Sequence, residues 1–314
     1  MTNGHSTPGF ALRGSRALAA IALACFPCAL YGQFTDPRTY ANTPADLNQF
    51  ELGYGYASAD ASIDTSLIVG GAHFDLNTAT AAYTRTFGIA QRLAWVKASI
   101  PFAAVRGSVG GTGISGSVAG AGDASLEFTS LLMGGPALRA PDFARHEPTT
   151  TLGVSLTVTG PTGEYNPDRI LNLGSDRWSF KPQLAVSHPF GPEHRWEVDG
   201  YASAYFFTDN TSYHGHEILR QEPLLGIEGH VSYNFTQDLW ASLDASYAWR
   251  GDTVVDGVNQ QDAQKYLTVG AELNWSLAQR NSIALVLAKS VVHDNAPAAT
   301  GVVLKYFYTW GPGY

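Results

Sequence analysis

The chain has 314 residues, of which 33 are glycine, 12% aromatic and 15% charged, with a formal net charge of −8. That acid excess argues against nucleic acid as a partner, because phosphate affinity needs clustered Lys and Arg. So much glycine argues against long helices, and the aromatic content favours strands.

In chain order, Arg13 and Arg16 precede an apolar run, Ala17–Tyr31, that ends at Gly32. A basic start, a short apolar core and a small-residue exit predict a secretory signal peptide over 1–32. The run is interrupted by Pro27 and falls short of the roughly 20 apolar residues of a spanning helix. Both cysteines, Cys25 and Cys28, lie inside it, so an exported chain without it holds itself together without disulfides. Residues 33–48 follow, with turn formers at Asp36-Pro37 and Thr43-Pro44. They are expected to form an N-terminal periplasmic segment. It is either a plug tucked into the lumen or a loose lead-in.

From 49 to 314 the repeating unit is a stretch of about ten residues with alternating polarity, the signature of a membrane-spanning barrel strand. Tyr266 to Leu277 is the clearest case. Leu267, Val269, Leu273, Trp275 and Leu277 share one face; Tyr266, Thr268, Glu272, Asn274 and Ser276 share the other. Side chains alternate across a strand, so one face meets hydrocarbon and the other water. Similar segments begin near Phe50, Phe74, Leu93, Asp123, Thr151, Trp178, Trp196, Leu225, Leu239, Asn281 and Val302. The sequence therefore predicts an all-β chain, a transmembrane antiparallel up-and-down β-barrel of about 12 strands.

In the segment Phe74–Phe87 the parity is ambiguous, and His73, Asp75, Asn77, Tyr83 and Arg85 are placed inward. Lys289 falls on an outward parity, near a rim. Linkers alternate between short and long, the long ones including Ser58–Ala72, Arg106–Gly122, Gly160–Asp176, Thr208–Arg220 and Gly251–Ala263. Met133–Pro148 should be a short turn and is too long for one. Five of the seven tryptophans, Trp178, Trp196, Trp249, Trp275 and Trp310, take the apolar parity near strand ends, as indole at a membrane interface does. The last strand is expected to run to Tyr314 and to pair with the first, leaving the sheet no edge.

The strings DPRTYANTPADLN (Asp36–Asn48), GDASLEF (Gly122–Phe128), LLMGGPAL (Leu131–Leu138) and PTGEYNPDRILNLGSDRWSFKPQL (Pro161–Leu184) resemble a known family. It is the outer-membrane barrel family described as "putative MetA-pathway of phenol degradation". Tyr165, Asn172, Gly174, Arg177 and Trp178 carry its most specific loop. The resemblance implies a transporter of the Gram-negative outer membrane linked to the breakdown of aromatic compounds.

Lumen and transport candidates on the inward parity are Lys97, Glu127, Lys181, Asp199, Tyr201, Tyr205, Phe207, Glu228, His230, Asp244 and Glu272. They either line a polar path or pair across strands and close the interior. Tyr201, Tyr205 and Phe207 are the expected aromatic contacts for a solute. No cofactor is implied. His214-Gly215-His216-Glu217 has too few ligands for a metal site and reads as solvated loop. The glycine-rich run Gly107–Gly122 lacks the GK[ST] ending of a phosphate cradle and reads as a flexible outer loop.

The expected function is passive uptake of small hydrophobic or aromatic compounds, by a protein that is not an enzyme. Expected partners are membrane lipid, the solute, and the outer-membrane assembly machinery at the C-terminal strand. A closed structural barrel is the alternative. A lipid-acting enzyme built on His230 and Ser232 is a more distant one, since no GxSxG motif is present.

Overall fold

The computed structural model describes residues 35–61, 71–110, 114–169 and 171–312. The expected signal peptide and Tyr314 lie outside the described residues. The strands are β1 (Asn48–Ala61), β2 (Ala72–Ile89), β3 (Arg92–Val109), β4 (Ile114–Ala121), β5 (Ser125–Met133), β6 (Thr151–Thr159), β7 (Ser179–Phe190) and β8 (Trp196–Phe207). They continue with β9 (Asn210–Tyr213), β10 (Glu217–Gln221), β11 (Leu224–Asn234), β12 (Leu239–Arg250), β13 (Thr253–Val255) and β14 (Val258–Asn259). The last are β15 (Gln264–Ala278), β16 (Asn281–Asp294) and β17 (Ala298–Trp310). One short helix, α1 (Ala140–Phe143), sits between β5 and β6.

The strands close a twelve-stranded antiparallel barrel in which β4 and β5 share one position and β9, β10, β13 and β14 stand apart. β17 pairs with β1 from Asn48↔Trp310 to Asp60↔Ala298, which closes the cylinder. Polarity is inside out relative to a water-soluble protein. Leu243 is 72% exposed and Ile227 51%, while the neighbouring inward residues His230 and Ser232 are 1% exposed. Trp178, Trp196 and Trp275 are exposed on the outer surface. Trp196 packs at a tilt against Tyr233 (4.6 Å between rings) and Trp310 stacks with Tyr308 (5.5 Å), part of the aromatic girdle. Lys289 also faces outward, beside Val269 of β15.

The structure reverses the expected parity of β2. Phe74, Leu76, Thr78, Thr80, Thr84 and Thr86 line the interior, whereas His73 and Tyr83 are exposed. The cause is pairing with the tyrosines of β1 and the girdle. Tyr54 donates to Asn77, Tyr56 to Asp75 and Tyr83 to Asn48, so these polar groups are satisfied on the outer face. Threonine, short and β-branched, then supplies the inner face.

The outer linkers are more ordered than their composition predicts. Arg106–Gly122 is mostly strand: β3 pairs with β4 from Phe102↔Ala121 to Val109↔Ile114. The linkers 208–220 and 251–263 form a second, four-stranded sheet, β14-β13-β10-β9. Its hairpins turn at His214-Gly215 and Asp256-Gly257, each with two positive φ values. The two-residue Asp256-Gly257 loop has the type I′ signature, and Asp-Gly is its usual sequence; the β9–β10 loop is one residue longer. At the opposite end, the long connection after β5 carries α1 and a bridge between Arg92 and Pro136. Leu138 there accepts a hydrogen bond from Ala45 N (2.7 Å). The connection is long because it braces the chain that enters the barrel.

An arginine placed at Leu243 would face hydrocarbon. Leu243→Arg is expected to destabilise the barrel by about 2–4 kcal/mol in denaturant titrations from phospholipid vesicles, against little change for Lys289→Ala near the rim.

Candidate functional site

Thr35–Leu47 lies inside the barrel at the end where the short turns are. Its first described residue reaches furthest in: Thr35 N donates to Glu228 Oε2 (2.7 Å), and Thr35 Oγ1 lies 3.0 Å from Gln183 Oε1. Asp36-Pro37-Arg38-Thr39 forms a tight turn, with Thr39 N donating to Asp36 O. Proline at the second place presets φ. Arg38 at the third takes φ 62°, a left-handed conformation that costs a non-glycine residue roughly 1–2 kcal/mol.

The contacts of the turn explain why that strain persists. The two charges point to opposite walls. Asp36 is ion-paired with Lys305 of β17. Arg38 faces the acidic wall: its Nε donates to Ser232 Oγ (2.7 Å) and lies 3.7 Å from Glu197 Oε2. Its Nη1 donates to Asn234 Oδ1 (2.7 Å), and its backbone N donates to Asp199 Oδ2 (3.1 Å). Its guanidinium stacks 4.6 Å from the centre of Trp240. Burial alone would raise the Asp36 carboxyl. Lys305 and Lys97 outweigh it and hold the group below its ordinary value of 3.8.

Tyr40, 1% exposed, wedges between the segment and the wall. Its ring lies 5.2 Å from Tyr201 and 5.9 Å from Trp95, and its hydroxyl is 2.7 Å from Ser155 Oγ. Gly153 makes the room: a Cβ there would sit 2.5 Å from the Tyr40 ring. Asp46, where the chain leaves the lumen, meets Arg139 (3.2 Å) and Arg85 (3.6 Å).

The opposite, loop-bearing end is narrowed by the β6–β7 connection, which turns inward. Leu173 and Leu171 pack on Phe74, Val105 and Val118 of the barrel wall. Asp123, in the break between β4 and β5, accepts hydrogen bonds from Gly163 N, Ser175 N (both 2.8 Å) and Ser175 Oγ (2.6 Å). Asn172 stitches the loop to Asn166 and Arg169. Gly174 lies flat on Gly163, where a Cβ would come within 2.7 Å of a carbonyl oxygen. Tyr165 and Arg177 tie it to the outer sheet. Asn210 donates to Tyr165 Oη (3.0 Å), and Arg177 Nη2 donates to Gln221 Oε1 (2.5 Å). Trp178 faces outward.

Between the two constrictions runs a cavity of about 1060 Å³. Its lining reaches from Thr86 and Thr309 at the short-turn end to Ala59 and Pro297 at the loop end. Of the residues singled out from sequence, Lys97, Glu127, Lys181, Tyr205, Phe207, His230, Asp244 and Glu272 line it. Asp199, Tyr201 and Glu228 are instead buried against the entering segment. Tyr201 therefore packs on Tyr40 and is not a wall residue of the cavity. Alternation reports only which side of a strand a residue takes, so it could not separate these two groups. Trp95, Trp240 and Glu51 also line the interior; their inward parity was the available signal.

Lys97 pairs with Glu51 (2.8 Å), and His230 Nδ1 lies 2.8 Å from Asp244 Oδ1. Ser232 is engaged by Arg38, so the described hydrogen bonds align no serine with the imidazole. Among the described residues no group of His, Cys, Asp or Glu could hold a metal ion.

A closed, lipid-facing barrel with a charged interior and a strap of its own chain inside it has the fold of an outer-membrane β-barrel. The chain belongs to the family described as "Putative MetA-pathway of phenol degradation", whose profile matches residues 57–306. No curated protein matches it. The COG4313 outer membrane channel from Pseudomonas putida F1 has a similar fold, with a TM-score of 0.77 at 20% identity over 88% of this chain and 100% of that one. The beta domain of the Bordetella autotransporter BrkA is more distant, with a TM-score of 0.53 at 8% identity over 84% of this chain and 100% of that one.

Substitutions at two positions test the strap. Arg38→Ala and Arg38→Gly both remove the side-chain contacts, but glycine also relieves the left-handed backbone. Hydrogen exchange across 35–45 should rise in both, and more in the alanine variant, by about 1 kcal/mol of docking. Asp36 contributes to docking above the carboxyl's free value, and that contribution is lost as pH falls through its lowered value. Asp36→Asn should therefore conduct more than the unmodified protein in planar bilayers at pH 7. The difference should vanish as pH falls through the lowered Asp36 value, which lies below 3.8.

Proposed function

We propose that the protein is a passive channel for uptake of small hydrophobic or aromatic compounds across the outer membrane. The single observation that carries this reading is the cavity of about 1060 Å³ whose lining reaches both ends of the barrel. A wholly side-chain-filled cylinder would have no such space. Its wall mixes apolar side chains (Phe74, Leu76, Val105, Leu224) with aromatic ones (Tyr205, Phe207) and scattered polar groups. A solute enters past the inturned β6–β7 loop, exchanges between weak contacts and leaves past the strap formed by Thr35–Leu47. Diffusion needs binding weak enough to release, which dispersed apolar and aromatic contacts provide.

The family description supports a place beside aromatic catabolism. The C-terminal strand, aromatic on its outer face at Tyr306, Tyr308 and Trp310, is the segment we expect the assembly machinery to engage. A second reading, a closed structural barrel, is favoured by one observation. The pairs Asp36–Lys305 and Lys97–Glu51 neutralise charges that an open pore would leave facing water.

Swelling of proteoliposomes separates the two. Benzoate should enter faster than through protein-free vesicles, and sugars much less so. Removing residues 35–45 should raise both rates. If neither the intact nor the shortened protein admits any solute above the protein-free rate, the channel reading is wrong.

A further inference from the structure

The lumen holds three lysines on its wall, and they are not equivalent. Lys97 has Glu51 at 2.8 Å, and Lys305 has Asp36. Lys181 of β7 has no carboxylate within 4 Å among the described residues. Its ammonium reaches Thr35 Oγ1 (3.3 Å) and lies 5.2 Å from the centre of the Tyr205 ring. Two acids, Glu228 and Glu127, attract it from beyond that distance and keep their charge while accepting hydrogen bonds from neutral groups. Glu127 accepts from Thr129 (3.0 Å) and Thr157 (3.2 Å), and Glu228 from Thr35 N. A cation drawn out of bulk water and left facing a cavity favours an anion there.

The surroundings of Lys181 narrow the kind of anion. Tyr205 and Phe207 stand in a row on β8, their rings nearly parallel (9°) and 6.4 Å apart. The Arg177 guanidinium lies 4.4 Å from the centre of Phe207, adding positive potential at the loop end of the row. All four side chains line the cavity, and Leu173, Phe74 and Val105 supply apolar walls on its other flank. A charge at one edge, aromatic faces beside it and an apolar wall opposite form a surface for a planar ring with one acidic substituent. Neutral arenes would use only the apolar half, and small inorganic or aliphatic anions only the lysine.

We propose that Lys181, Tyr205 and Phe207 form a binding station for monocyclic arenes that carry a carboxylate or sulfonate. It rests on the channel reading, and gives that channel its substrate class. The negative group sits on the Lys181 ammonium, and the ring lies along Tyr205 and Phe207. The positive end of Arg177 draws the anion in from the mouth. The strap bounds the station from below at Thr35, so a ligand seated there also contacts the tip of the element it must pass.

The test uses the full-length exported chain in lipid nanodiscs, with empty nanodiscs subtracted, and calorimetric titration of benzoate, benzyl alcohol and acetate. Benzoate is expected to bind about tenfold more tightly than either of the other two, a charge and a ring each contributing. Lys181→Gln should lower benzoate affinity about tenfold toward that of benzyl alcohol, leaving benzyl alcohol unchanged, and Lys181→Arg should restore it. Tyr205→Leu should shrink the gap between benzoate and acetate. Heat-shifted gel mobility confirms that each variant is folded. Equal binding of benzoate and benzyl alcohol, or a benzoate affinity untouched by Lys181→Gln, overturns the proposal.

A second arm measures entry of benzenesulfonate, which crosses bare lipid slowly, into proteoliposomes. Selective binding without entry keeps the station and sinks the channel. Entry of benzenesulfonate and benzyltrimethylammonium at equal rates sinks the station and leaves the channel. Neither binding nor entry sinks both.

Discussion

A backbone N–H or C=O that faces hydrocarbon has no water to bond, so its partner must come from the protein. A sheet meets that demand only if its two outer strands meet. Pairing of β1 with β17 over thirteen residue pairs, Asn48↔Trp310 to Asp60↔Ala298, is where this chain does so. Everything else in the molecule follows from that seam. Closure makes an outside that must be apolar and an inside sealed from lipid. It also ends the chain's sheet inside the wall, so the final strand carries Tyr306, Tyr308 and Trp310 to the membrane boundary.

An interior sealed from lipid still contains charges, and their arrangement is uneven. Glu197, Asp199 and Glu228 gather on β8 and β11, while Lys97 and Lys305 stand on β3 and β17. The Asp36-Pro37-Arg38 turn is matched to that asymmetry, one sign for each wall. The left-handed backbone at Arg38 is the cost of presenting both charges within three residues, and the many contacts of that arginine offset it. The same reasoning gives Lys181 its interest: Lys97 and Lys305 each hold a carboxylate, whereas Lys181, on Thr35 Oγ1 and the Tyr205 ring, faces the cavity.

Alternation in the sequence was a strong guide where outward residues are large and inward ones polar, as in Tyr266–Leu277. It misled in β2, where threonine and alanine fill the inner face and tyrosine, asparagine and aspartate hydrogen-bond on the outer one. Polarity is then no longer a label for side. The outer linkers misled for another reason. Glycine-rich composition at 107–122 reads as loop, yet Val109 and Val118 give its hairpin an inner apolar face that packs with Phe74 and Leu173. Asp256-Gly257 was a legible hairpin signal; that its strands would join those around His214-Gly215 depends on two loops meeting above the barrel.

The amino-acid pattern by itself determined the barrel, its strand number and the parity of its clearest strands, because period-two polarity is a local property imposed by lipid on each strand separately. On those strands it marked which charges and rings turn inward. Only the tertiary structure decided which of them face open space. Tyr201 and Tyr205 share one strand and one parity, yet Tyr201 is sealed by Tyr40 and Tyr205 lines the cavity. That difference comes from a segment some 160 residues earlier in the chain (roughly the span from Asp36 to Asp199) folding into the lumen. Contacts of that range leave no periodicity to read, since their energy resides in pairs of residues brought together by closure of the sheet.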